Sequence, residues 1–470
     1  MRVLWLVVFV IALVYGLLNP RSSRRASKGN VTPAQVTNIT ARSDKQLPFP
    51  AGELFDKKTH FEFAIYYTAA AKTDPAAALQ KLCEQRFTRL ARLKDPSELE
   101  GAKLPAVMIR PVQIEKYRPP DLEALKYYAR GLSDEQKNQL QKCKEVFVLD
   151  FVDNASSVLK TVRDASELTA ALATETGGLI WDDETREVFT TEAWQKRRLE
   201  RWTGDIPSVF DHVTQHFYQD GELCRIVTLG MKKFALPDVC VEDIPRSSAR
   251  SIGSLINLAC QTMLERGKLE QPGKLNVDVA SLKNTFMREY LSATYLDKAT
   301  GKASLLLGSV IPKEGDASNR LAEIGFSGGA DLNDQQRQDA VISQVFGSRD
   351  QVSTITHDDE LLRVSEQAKA EIAKLAPRFQ QNIPQGESLL VKAPFRTSSG
   401  GNEWMWVEVV RWNGKAIEGI LKNDPYSVPG LKAGARVKVN QDSLFDYLHT
   451  LKDGTEVGNE TGKLLMKRGN

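Results

Sequence analysis

The sequence predicts an α+β protein. A mixed α/β body leads into a small, strongly bent β-sheet or partly open barrel-like C-terminal domain, and an N-terminal membrane helix precedes both. Three observations predict it. A run without charge, VLWLVVFVIALVYGLL, fills Val3 to Leu18. Strand-like alternation and helical spacing then take turns from about residue 59 to 267. From about residue 385 onward, short strand patterns are separated by tight turns. The expected segments are 1–18 (anchor or signal segment), 19–58 (flexible basic linker), 59–267 (body), 268–384 (mixed linker and helices) and 385–470 (β-rich domain).

Composition narrows the function classes. At 470 residues the chain has room for about two to four domains. Its 63 basic residues nearly balance 60 acidic ones, so no overall charge draws it to nucleic acid, which is not an expected partner. Five cysteines, Cys83, Cys143, Cys224, Cys240 and Cys260, stand far apart without a CxxC pair. That excludes zinc-ribbon spacing and a disulfide scaffold, and buried inert thiols are expected.

The opening run of sixteen residues would span about 24 Å as a helix, near the length a bilayer core requires. No small-x-small cleavage pattern follows it. An uncleaved single-pass anchor is therefore expected, with a cleaved signal peptide as the alternative. Arg21, Arg24, Arg25 and Lys28 follow at once and are placed to meet lipid headgroups. They bias the body toward the cytoplasmic side, whereas an ordinary signal anchor would export it, so the side stays open. NVT at Asn30 and NIT at Asn38 are formal glycosylation acceptors in the linker, as are NAS at Asn154 and NET at Asn459 further on.

Each body element has its own reason. In HFEFAIYYT, Phe61, Phe63, Ile65 and Tyr67 alternate on one strand face. Asp74-Pro75 is a cap followed by a first-turn proline, and Leu79, Leu82 and Cys83 continue the helix. PAVMIRPV reads as a strand, and Leu122 to Lys142 as helix broken near Gly131. KEVFVLDFVDN is apolar enough to be covered on both faces. A helix over 156–174, two strands about a turn at Asp182-Asp183, a basic helix TEAWQKRRLERW and a hairpin about Gln219-Asp220-Gly221 follow. The helix 247–266 carries Ile252, Leu255, Ile256, Ala259, Cys260 and Met263 and ends on Gly267. Beyond it, KASLLLGSVIP reads as a strand, with helices over 333–346 and 357–376. Thr356 and Asp359 approximate a capping box there, and Pro377 is the expected end of the second helix.

In the last segment, EWMWVEVVRW turns Trp404, Trp406, Glu408 and Val410 one way and Met405, Val407 and Val409 the other. Asn413-Gly414 is a favoured hairpin turn, and Asn423-Asp424-Pro425 starts another. Together with VKAPF, GILKNDP, LKAGARVKV and FDY, this stretch resembles the uncharacterised family called domain of unknown function 2314, over about residues 385–461. The segment 176–194 looks like sequence found upstream of such domains. Trp404 stands where that family commonly has histidine, and Tyr447 where tryptophan is usual. The resemblance implies a module, not a reaction.

The candidate binding residues are Glu403, Trp404, Trp406, Asn423, Asp424 and Asp446, with Asp446 expected to pair with Arg436 or Lys438. His212 and His216, four apart in DHVTQH, lack a third ligand and a HExxH glutamate, so no metal is expected. GFSGGADL near Gly325 lacks a Walker lysine, GxSxG is absent, and no cofactor is expected. The basic helix TEAWQKRRLERW reads as a solvated face with its tryptophans turned inward. The expected function is a membrane-tethered interaction or ligand-binding protein, meeting lipid through its first helix and an unknown protein or small ligand through its folded part. The alternative is a hydrolase or other enzyme whose site forms between body and C-terminal domain. That alternative needs His212, His216, Asp182, Asp183, Glu403 and Asp446 to converge.

Overall fold

The computed structural model describes residues 47–99, 103–328, 331–348, 359–398 and 401–469. The expected membrane helix at 1–18, its basic flank Arg21, Arg24, Arg25 and Lys28, and the capping residue Thr356 lie outside them. Among the described residues no helix is long and apolar enough to cross a membrane. The described residues are α+β, in three large sheets and two two-stranded ones.

The first sheet comprises β1 (Lys58–Tyr67), β2 (Ala91–Leu93), β3 (Ala106–Val112), β4 (Ala129–Arg130), β5 (Glu145–Asn154), β6 (Leu179–Asp182) and β7 (Glu187–Phe189). Their spatial order is β2-β3-β5-β1-β6-β7-β4. As expected, Phe61, Phe63, Ile65 and Tyr67 share the face of β1 that enters the main core. Its other face is also covered, because Ala64 and Tyr66 join a smaller core with Trp181 and Val188. Helix α1 (Pro75–Gln85) starts where Asp74 accepts a bond from the Ala77 N–H and proline takes the first turn. Short helices α2 (Leu122–Tyr128) and α3 (Asp134–Leu140) flank Gly131, and α4 (Val158–Thr176) lies on the core face.

The second sheet holds β8 (Thr214–Asp220), β9 (Leu223–Leu229), β10 (Asp238–Ile244), β11 (Lys274–Asp278), β12 (Lys302–Val310) and β13 (Leu321–Gly325). The path from β12 runs β13-β10-β9-β8, and β11 and the pair Leu47–Pro48 both add to β12. Strands on either side of residue 267 thus share one sheet, and one apolar cluster runs from Phe61 in the first sheet to Ile324 in the second. After the four-residue turns α5 (Thr191–Trp194) and α6 (Val209–His212), helix α7 (Ala249–Arg266) crosses that cluster. It ends on Gly267, whose φ of +69° is left-handed and favours glycine. Two further helices, α8 (Thr285–Ser292) and α9 (Asp334–Phe346), complete this part.

The C-terminal sheet contains β14 (Ser388–Arg396), β15 (Asn402–Asn413), β16 (Ala416–Leu421), β17 (Arg436–Asn440), β18 (Asp446–Thr450) and β19 (Glu456–Gly458), in the order β17-β16-β15-β14-β18-β19. The two ends of that order do not pair, so of the two forms expected from sequence, a bent sheet or a partly open barrel, the structure has an open sheet. Helices cover it instead: α10 (Asp359–Gln381) puts Ala368, Ile372, Ala376 and Phe379 into this sheet's core, and α11 (Glu460–Gly469) follows the last strand. Pro377 does not end α10 as expected. The helix runs on to Gln381, because the buried Phe379 holds the last turn against the sheet despite the missing amide donor.

Candidate functional site

Pairing of β14 with β15 sets Lys392 opposite Trp406 and Pro394 opposite Trp404, and pairing of β14 with β18 sets Lys392 opposite Asp446. The predicted alternation holds along β15. Met405, Val407 and Val409 are in the core, while Trp404 and Trp406 are half-buried on the other face. The Lys392 ammonium lies 5.6 Å from the centroid of the Trp406 ring, a cation–π contact, and Trp404 packs on Phe445 with ring centroids 4.6 Å apart. Desolvation lowers the Lys392 pKa, and Asp446 acts against that shift. Lys392 was not singled out from sequence. Its position in VKAPF on the strand beside EWMWVEV was the available signal.

The three tryptophans do not form one platform. A register shift between Val409 and Arg411 changes the parity of β15, so Trp412 turns into the core and its indole N–H donates to the Gly414 carbonyl. Gly419 lies opposite Val409. A Cβ there would run into the Glu408 carbonyl oxygen and the Val407 side chain.

The polar candidates are held mostly by their own domain, with one bond to Asp424 from Gln336 on α9. Glu403 accepts from the Tyr426 and Ser427 amides at 2.7 and 2.8 Å. Asn423 accepts from the Trp406 amide at 2.8 Å. Asp424 accepts from the Ala433 amide at 3.0 Å and from the Gln336 side chain at 2.7 Å. These bonds give the turn at 423–425 the side-chain-to-backbone character expected of it. Asp446 is fully buried and accepts from the Thr461 amide and hydroxyl, and burial raises its pKa. The expected pairing with Arg436 or Lys438 is corrected. Arg436 reaches Glu222, and Lys438 lies 2.6 Å from Glu418, because Asp446 is on β18 at the far side of the sheet.

Part of the tryptophan-bearing face docks on the body. The buried Glu408 accepts from the Ser247 amide at 2.9 Å and the Ser247 hydroxyl at 2.6 Å, just ahead of α7. Lys422 donates to the Ser248 hydroxyl at 3.1 Å.

In the body the sequence misjudged one stretch. The basic run after Trp194 is only in part the expected solvated face: Gln195, Lys196 and Glu200 are exposed, but Arg198 is not. A π-helical turn, Gln195–Leu199, carries Arg198 inward until it is 0% exposed. Its guanidinium donates to Asp182 and Thr185, each at 3.0 Å, and to Glu187 at 2.9 Å, and it stacks on Phe189. Lys233, also fully buried, donates to Asp182 at 2.8 Å. Desolvation raises both carboxyl pKa values, but the cations outweigh it: Lys233 and Arg198 hold Asp182 below its usual range, and Arg198 together with Arg130, 2.6 Å from Glu187, does the same for Glu187. Trp194 does turn inward as expected.

His212 and His216 do not act together. His212 ends α6, between Trp202 and Phe234, with neither ring nitrogen hydrogen-bonded. Burial, then the Lys233 and Arg198 cations, push its pKa well below the usual histidine range. His216 lies on β8, stacked on Tyr128, and burial pushes it down to about 4. Asp183 accepts from Tyr117 and Trp181. No hydrogen bond joins any two of the six residues an enzyme reading needs, among the described contacts.

Two clusters hold three potential metal-ligand atoms within 4.8 Å of one another: His60, Glu62 and Asp150, and Cys240, Glu242 and Glu323. Arg110 lies against the carboxylates of the first, and Arg225 and Lys313 against Glu242 of the second, so both read as ion-pair networks. The five cysteines are free and buried, as expected.

No curated protein and no solved structure matches the chain. Its C-terminal part, residues 358–468, the unit formed by α10, the open sheet and α11, matches the family described as "Uncharacterized protein conserved in bacteria (DUF2314)".

Proposed function

We propose that the protein is a membrane-tethered binding protein without catalysis of its own, whose C-terminal domain meets a protein or small ligand through the Trp404–Trp406–Lys392 face. One observation carries this reading. The acids and amides that would do chemistry in that domain are already held by backbone amides and neighbouring side chains, while the two tryptophans stay half-buried beside a cation. Half-buried aromatic and cationic side chains suit recognition. The tether is supported by the charge-free Val3–Leu18 run and the basic residues Arg21, Arg24, Arg25 and Lys28 after it.

Two measurements test the proposal. In detergent-free fractionation the full chain should sediment with membranes, and a chain lacking residues 1–28 should stay in the supernatant. A soluble full chain sinks the tether. Cross-linked partners recovered from native membranes should be lost with Trp406→Ala and kept with Lys438→Ala. Equal recovery from both variants sinks the binding face.

A further inference from the structure

The strands β14 and β15 pair through Lys392 opposite Trp406, Pro394 opposite Trp404 and Arg396 opposite Asn402. Members of a cross-strand pair share a face, so these six side chains form one patch. All six are exposed or half-buried, while Val391, Ala393, Met405 and Val407 on the other face are in the core. The patch holds two tryptophans, two cations and no carboxylate. At the next pair on this face, Leu390 with Glu408, the sheet is docked on Ser247, so the body bounds the patch on that side.

Neither cation is neutralised by the protein's own acids. Among the described residues Lys392 and Arg396 form no ion pair. The Lys392 ammonium lies against the Trp406 ring. Asp446, opposite it on β18, is buried, already accepts from the Tyr447 amide and from Thr461, and acts on Lys392 only through its field. Lys392 has therefore lost part of its water without gaining an acceptor, and an incoming carboxylate restores the missing bond. Spacing selects the kind of ligand. Lys392 and Arg396 are four residues apart on one strand, about 13 Å at ~3.3 Å per residue, and Trp404 lies across from the midpoint. An extended chain has the same period, so carboxylates on its first and fifth residues meet the two cations while the third side chain lies over Trp404. Packing of Trp404 on Phe445 holds that ring ready for contact.

We propose that this patch binds an extended acidic segment of a partner protein, with carboxylates on Lys392 and Arg396 and an apolar side chain on Trp404. The proposal rests on the binding role given above to the tryptophan face and names what that face selects. It is tested by fluorescence anisotropy of the full-length chain in detergent micelles with a labelled, capped peptide in which glutamates four positions apart flank a phenylalanine. Saturable binding is expected, weakened about tenfold by Lys392→Gln with Arg396→Gln, weakened by about 0.5 M salt, and unchanged by Lys438→Gln. No saturable binding, or equal binding of the same peptide with glutamines for glutamates, overturns the proposal. If the double variant fails to fold by circular dichroism, Asn402→Glu puts a carboxylate into the patch at an exposed position, and unchanged binding there also overturns it. Micelles doped with phosphatidylserine at matched ionic strength should leave peptide binding unchanged. Displacement of the peptide would assign the patch to lipid headgroups and overturn the proposal. Failure here is separable from failure of the binding role. A cross-linked partner lost with Trp406→Ala but kept with Lys392→Gln and Arg396→Gln leaves the face a binding face and removes the acidic segment. A partner that survives Trp406→Ala removes the face itself.

Discussion

The body and the C-terminal domain handle charge in opposite ways. In the body, Arg198, Asp182, Lys233 and Glu187 are at most 1% exposed and bond one another. In the C-terminal sheet, Lys438 and Glu418 pair across β16 and β17 at 69% and 39% exposure. Water screens the second pair and is excluded from the first. The same residue types are therefore indispensable to one region and nearly incidental to the other. A buried network cannot lose a member without leaving its partner charged in an apolar place.

The largest expected effect follows directly. Arg198→Leu leaves Asp182 and Glu187 with less compensation and should cost about 3–5 kcal/mol in urea unfolding. A loss below about 1 kcal/mol would mean that water or a shifted side chain relieves the site, and the contrast between the regions would collapse.

The pH dependence sharpens the same contrast. Glu184, 8% exposed, is pushed by burial up to about 7 from an unfolded value near 4.3. A carboxyl with a raised folded pKa contributes stability that is complete below the unfolded value and is lost as pH rises through the folded one. Stability should thus fall between pH 5 and pH 8, by about 2–3 kcal/mol from this group. Asp238, pushed up to about 6 by burial, adds to the same trend at the acid end of that window. Replacing Glu184 with Gln should flatten most of the slope. An unchanged slope would show that Glu184 is not its source.

Where the regions meet, Glu408→Ala removes the acceptor for the Ser247 amide and hydroxyl. It should cost about 1–3 kcal/mol, and Glu408→Gln, which keeps one acceptor oxygen, should recover part of it. Equal losses in both variants would assign the effect to packing.

Sequence patterns reached furthest where physics is local. The alternation of Phe61, Phe63 and Ile65, the Asp74 cap, the Gly267 stop and the outward turn of Trp404 and Trp406 each depend on residues a few positions apart. Features set by distant chain were out of reach. Trp412 changed sides through a bulge at a close approach between β15 and β16. Arg198 read as surface because its partners Asp182 and Lys233 come from other segments and cancel its charge only in the fold. Pro377 stayed helical because Phe379 is held by a core that local rules do not contain. Lys392 entered the candidate face only through the register of β14 on β15.

The smallest effect is expected at Lys438. Its ammonium lies 2.6 Å from Glu418, and that bond leads the causes holding the Glu418 carboxyl below its usual range. Read alone, the shift suggests a stabilising pair whose contribution is present above the unfolded pKa and lost as pH falls through the lower folded one. Both side chains face solvent, however, so screening and side-chain entropy offset most of the attraction. Lys438→Ala should change stability by less than about 0.5 kcal/mol, and 0.5 M salt should erase even that difference. A cost near that of Arg198→Leu would mean that exposure does not govern how strongly this fold depends on its ion pairs.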